Sequence, residues 1–279
     1  MAVQRGFVYE TNTSNYLKTV VTENSPHGVV LQNFRPASAS SDRPDIMINF
    51  NNLSDGLELK INNASFGSLV IKWDLLKGVT GNHWKWGEVG DHEEKIFLKD
   101  IGDSVNVLDG LKKHWAVPNL IDDKEVWYES KSLPALRNRY EQDLVSCPDK
   151  YFSVSSQTIS KYYNTKNTHY INLGSHGFYR LGPNDPLGLN VMLRGRKKQE
   201  IPNWNSSHDA SIRCRCQPKG ISTAEAQEER TGSQLGGWGY QFTAEFSVRN
   251  ITKSPYNIAP ISSEVNIDTL NSNAPLVFQ

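Results

Sequence analysis

RPDIMINFNNLSDGLELKINN, residues Arg43 to Asn63, is the stretch whose reading decides the fold. Two runs alternate between apolar and polar residues, which is the period of a strand, and Asn51-Asn52-Leu53-Ser54-Asp55-Gly56 between them is a turn signal ending in Asp-Gly. The expectation is strand, turn, strand. Side chains alternate across a pleat, so Leu57, Leu59 and Ile61 share one face and Glu58 and Lys60 the other. In the first run Ile46, Ile48 and Phe50 form the apolar face, which leaves Asp45 on the opposite face with Met47 and Asn49. A hairpin of this register brings Asp45, Glu58 and Lys60 together.

Two carboxylates at close range suit a hard divalent cation such as Mg²⁺, which takes oxygen ligands and keeps several waters. The backbone carbonyl of Leu59 can complete the protein's share. An ion held there lowers the pKa of a bound water and stabilises charge on a phosphate oxygen, while Lys60 orients or helps deprotonate the water. The bland reading of the same residues is a solvated strand face with a cross-strand ion pair, worth about 1 kcal/mol at most.

Pro44-Asp45, a gap, then Glu58-Leu59-Lys60 resemble the signature of the PD-(D/E)XK nucleases, which include many type II restriction endonucleases. Arg5-Gly6-Phe7-Val8-Tyr9-Glu10 looks like the N-terminal helix of that family, in which a glutamate faces the metal site; the resemblance gives that role to Glu10. It implies a restriction-endonuclease-like α/β fold, a central mixed sheet flanked by helices, and Mg²⁺-dependent hydrolysis of a DNA phosphodiester. Asp45, Glu58 and Leu59 would be the metal ligands and Lys60 would lie beside the nucleophilic water. The size and the lack of ATPase motifs fit a type II enzyme cutting a specific duplex sequence as a homodimer, since a palindromic site mirrors two-fold symmetry. A recombination or repair nuclease of the same fold is the near alternative. A non-enzymatic β-rich binding or structural protein is the distant one.

Short acid-x-lysine motifs recur by chance, and two others occur. Glu93-Glu94-Lys95 lies in a charged stretch without strand alternation; Glu129-Ser130-Lys131 follows Val126-Trp127-Tyr128 but lacks the turn and the apolar partner face. Ser132-Leu133-Pro134-Ala135 opens the clearest helix, with Pro134 in the first turn, and it ends before Pro148. Ser68 to Trp73 reads as a strand beside the hairpin, and Trp84 and Trp86 as core caps in a loop. From Tyr151 the pattern is β-rich.

Formal net charge is zero, so a nucleic-acid partner must be met by a local patch. Arg194, Arg196, Lys197 and Lys198, with Arg213 and Arg215 on one strand face, are the candidates for double-stranded DNA contacts; a solvated charged turn explains the first four equally well. The organisation expected is a single nuclease domain over 1–279, with its catalytic hairpin at 43–63 and its DNA-recognition part within 150–250. Cys147, Cys214 and Cys216 read as buried thiols of a reducing, cytoplasmic compartment. No run approaches the ~20 apolar residues of a membrane span.

Overall fold

The computed structural model describes residues 9–15, 30–33, 43–50, 52–60, 66–74, 83–120, 133–174, 176–187, 201–204, 208–221 and 237–254. Among these the strands are β1 (Val30–Asn33), β2 (Ile46–Phe50), β3 (Leu53–Lys60), β4 (Ser68–Trp73), β5 (Trp84–Trp86), β6 (Lys150–Val154), β7 (Thr168–Leu173), β8 (Gly177–Arg180), β9 (Asp209–Ile221) and β10 (Gly237–Arg249). They form two five-stranded sheets, ordered β1-β2-β3-β7-β8 and β5-β4-β10-β9-β6. Helices cover residues 9–15, Glu93–Ser104, Val107–His114, Leu133–Ser146 and Thr158–Asn164. The protein is a mixed α/β chain, and its C-terminal half is β-rich, as the patterning implies. No helix among the described residues is long and apolar enough to cross a membrane.

The chain divides into two compact units. One comprises Met1–Ala64, Ser155–Ala210 and Val248–Gln279, the other Ser65–Val154 and Ser211–Ser247. In the first, β3 pairs antiparallel with β2 and parallel with β7, so the sheet is mixed. Five consecutive residues of β3, Asp55 to Leu59, are buried, and so is β7 apart from His169. Strands covered on both faces lose the simple alternation, and that is what distinguishes the two central strands here. Ile46, Ile48, Leu57 and Leu59 are all in the core, as their shared periodicity predicts.

The hairpin is tighter than its turn signal suggests. Phe50 pairs directly with Leu53, and Asn52 adopts φ 65°, the left-handed conformation that asparagine tolerates in a two-residue reversal. The reversal therefore does not extend to Asp55-Gly56, which lie inside β3. There Gly56 donates its N–H to the Asn167 carbonyl at 3.0 Å, next to a register shift against β7. A Cβ at this position would lie 2.7 Å from both Pro44 Cβ and Thr168 Oγ1. The glycine is required by close approach of neighbouring chain.

In the second unit β4 pairs antiparallel with β5 and β10. The strand Ser68–Trp73 thus belongs to the second sheet and not to the hairpin's, and Trp84 and Trp86 form a strand and not a loop. Trp84 packs edge-on against Trp73, Trp115 and Phe242 at 5.0–5.5 Å between ring centroids, an aromatic core. Glu93-Glu94-Lys95 opens a helix and not a strand. Glu129-Ser130-Lys131 lies outside the described residues. Cys147, Cys214 and Cys216 are buried free thiols.

Candidate active site

Continuing the β2–β3 register past Ile46↔Leu57 places Asp45 directly across from Glu58. β3 runs on beyond the last β2 pair, and the Asp45 side chain occupies the missing partner's place: its Oδ2 accepts the Leu59 N–H at 2.8 Å. On the other edge of β3, Gly174 N–H donates to the Lys60 carbonyl at 2.8 Å. Successive backbone groups of a strand point to alternate edges, so the Leu59 carbonyl faces the Asp45 side. Asp45 and the Leu59 carbonyl thus share one edge of β3, and the register sets Glu58 across from Asp45.

Asp45 and Glu58 are 3% and 2% exposed, so the solvated-face reading of these residues does not hold. Lys60 Nζ makes an ion pair with Glu58 Oε1, and its side chain is 16% exposed. Burial alone would lower the Lys60 pKa. The charges of Glu58, Asp45 and Glu10, with the Glu58 hydrogen bond, outweigh it and hold the ammonium above the ordinary lysine value. The hairpin brings together the three groups the sequence singles out. Glu10, in the helical residues 9–15, is close enough for its charge to act on Lys60. It does not complete a cluster, since among the described residues no three His, Cys, Asp or Glu side chains come together as a metal-holding group. The residues that fit a hard cation are Asp45, Glu58 and the Leu59 carbonyl, an all-oxygen set leaving room for waters.

Three further side chains line this end of the sheet. Tyr163 donates its hydroxyl to Glu58 Oε1 at 3.4 Å, and burial, then the Glu58 charge, push its pKa well above the usual phenol value. Tyr9 accepts from Asn172 Nδ2 at 3.2 Å, and burial raises its hydroxyl to about 12, with the Asp45 charge contributing. A second acid also gains a partner: Asp55 accepts from the His169 backbone N–H at 2.9 Å and from its Nδ1–H at 2.7 Å. That hydrogen bond, against partial burial, raises the His169 pKa. Tyr163 and Asn172 carry no local motif, Tyr9 enters only as part of the Arg5–Glu10 resemblance, and Tyr163 lies on a helix within the stretch read as β-rich.

The basic candidates fall differently. Arg194, Arg196, Lys197 and Lys198 lie outside the described residues. Arg213 and Arg215 do share one face of β9, alternating with buried Cys214 and Cys216. Arg213 donates through Nε and Nη2 to Asp149 Oδ2 at 2.9 and 2.6 Å, and Arg215 Nε lies 3.1 Å from Glu245 Oε1. Both guanidinium groups are engaged by acids of the same unit and partly exposed.

Fold and site together define a mixed α/β protein with a buried acid–acid–lysine centre at a sheet end. No family model matches the sequence, and no curated protein does. A solved structure of HhaI endonuclease in complex with DNA superposes with a TM-score of 0.43 at 8% identity, over 93% of this chain and 94% of that chain. A likeness of that depth identifies neither family nor function.

Proposed function

We propose that the chain is a Mg²⁺-dependent DNA endonuclease of the PD-(D/E)XK type, acting as a type II restriction enzyme on a specific duplex sequence. The observation that supports this reading is the burial of Asp45 and Glu58 directly across from each other, with Lys60 on the same face. Burying two carboxylates costs several kcal/mol per charge unless the fold gains something by it, and a divalent cation held by both is such a gain.

Asp45 and Glu58 would hold the ion with the Leu59 carbonyl. Bound there, Mg²⁺ supplies positive charge to the phosphate oxygens and acidifies a water. Lys60, held protonated, is a donor: it orients the attacking water in line with the scissile P–O bond and offsets charge on the phosphate. Glu10 would be a further acid of the site, its charge acting on Lys60. Arg194, Arg196, Lys197, Lys198, Arg213 and Arg215 are the proposed DNA contacts; for Arg213 and Arg215, phosphate would have to compete with Asp149 and Glu245. Action in the cytoplasm as a homodimer on a palindromic site completes the proposal.

The test is incubation of the purified protein with duplex phage DNA in Mg²⁺ or in EDTA, beside a Lys60→Ala variant. Discrete fragments that require both Mg²⁺ and Lys60 are expected. A progressive smear would assign the same chemistry to a repair or recombination enzyme. Intact DNA across broad salt and pH with folded protein would remove the nuclease reading.

A further inference from the structure

We propose that Tyr163 is a positioning residue that holds the Glu58 carboxylate in place for the cation, a role resting on the metal-dependent reading of the site. Tyr163 sits near the end of the helix Thr158–Asn164 and is 1% exposed. Its hydroxyl and the Lys60 ammonium both address Oε1 of Glu58. The 3.4 Å separation is long for an O–H···O bond, as contacts in unliganded sites commonly are.

The two donors differ in charge, and that separates their roles. The Lys60 ammonium would be repelled by a divalent cation held at Glu58 and so freed toward water and phosphate. The neutral hydroxyl is not repelled, and it alone of the two can keep its hold on the carboxylate while the ion is bound. Without it, Glu58 would lose that hold in the step where its oxygens must be fixed.

The phenol is built to do this. Its ring meets Tyr162 edge-on at 5.1 Å, and its backbone carbonyl accepts the Lys166 N–H at 2.9 Å. The Lys166 ammonium lies over both rings, 4.8 Å from the centre of Tyr162 and 5.7 Å from that of Tyr163. A side chain gripped on these sides delivers its hydroxyl to one point.

The experiment compares wild type, Tyr163→Phe and Tyr162→Phe. Tyr163→Phe removes one oxygen and keeps the buried ring; Tyr162→Phe removes the hydroxyl of the neighbouring residue and is the control. Mn²⁺ uptake is read from loss of the free-ion electron paramagnetic resonance signal, without DNA, and Mg²⁺ is titrated separately in the cleavage assay. Tyr163→Phe is expected to weaken Mn²⁺ binding about tenfold or more and to raise the Mg²⁺ needed for half-maximal cleavage by a similar factor, with the rate at saturating Mg²⁺ close to wild type. Tyr162→Phe is expected to bind like wild type. Equal Mn²⁺ affinity in wild type and Tyr163→Phe would overturn the role of Tyr163 and leave the nuclease reading standing. A wild-type chain that takes up no Mn²⁺ would overturn both.

Discussion

The Asp45 carboxylate accepts the Leu59 N–H at 2.8 Å, so the residue preceding β2 is fastened to the strand that carries Glu58 and Lys60. One side chain thus has a structural task at Oδ2 and a proposed ligand task as an anion. The two can be separated. Asp45→Asn keeps an acceptor for the buried N–H and loses the charge; it should fold with near-wild-type stability and lose about a hundredfold or more in cleavage. Asp45→Ala should lose cleavage and also about 1–3 kcal/mol of stability in urea unfolding, because the Leu59 amide is left without its acceptor. Equal stabilities of the two variants would show that the hydrogen bond is not holding the strand end.

The hairpin was legible because its information is local. Alternation puts Leu57 and Leu59 in the core, and with them Glu58 and Lys60 on the face of Asp45, whichever residues make the turn. The turn signal misleads because Asp-Gly is strong in isolation, whereas Asp55 lies within β3 and holds His169, more than a hundred residues later. The same distance in sequence hides Tyr163 and Asn172: nothing near either one says that a fold will deliver it to Glu58 or Tyr9. Arg213 and Arg215 show the converse limit. Their spacing on β9 was readable, but the acids Asp149 and Glu245 that engage them come from other segments.

Gly56 tests the packing that sets the hairpin against β7. Its missing Cβ position is closed by Pro44, Thr168 and the Asn167 carbonyl, two of them at 2.7 Å. Backbone and proline cannot rotate out of the way, so Gly56→Ala should cost about 2–4 kcal/mol through displaced strands. Chemical denaturation measures this directly. A loss under ~0.5 kcal/mol would mean that the strands separate more easily than their packing implies.

His208 makes stability depend on pH away from the proposed site. It is 7% exposed, its Nδ1 bonds the Trp204 carbonyl at 2.7 Å, and its Nε2 has no hydrogen-bond partner among the described residues. Burial lowers its pKa to about 4, against smaller opposing effects from the Trp204 hydrogen bond and Asp209. Because the folded value lies below the unfolded one of about 6.5, the unfolded chain binds more protons between them, and stability falls as pH drops through this window. The loss should approach about 3 kcal/mol by pH ~4. His208→Asn places its amide where Nδ1 stood, keeps a donor for the Trp204 carbonyl and cannot titrate, so its unfolding free energy should vary less over the same range. Parallel pH profiles for wild type and variant would assign the acid sensitivity elsewhere.

Lys60 separates binding of the cation from chemistry. In the metal-free chain its ammonium lies on Glu58, in the charge of Asp45 and Glu10, so a cation must displace it. Lys60→Met keeps the apolar stem and removes that competitor. Without metal the variant should be less stable than wild type by about 2–4 kcal/mol, since the buried carboxylates lose the lysine beside them. Mn²⁺ should bind it more tightly and raise its melting temperature by more than it raises that of wild type. Cleavage should nevertheless fall by about a hundredfold or more, because the donor to water and phosphate is gone. Tighter metal with lost cleavage is the signature of a lysine that serves the reaction and not the ion. Weaker metal in Lys60→Met would mean that the lysine organises the ligands, and cleavage at the wild-type rate would take Lys60 out of the chemistry.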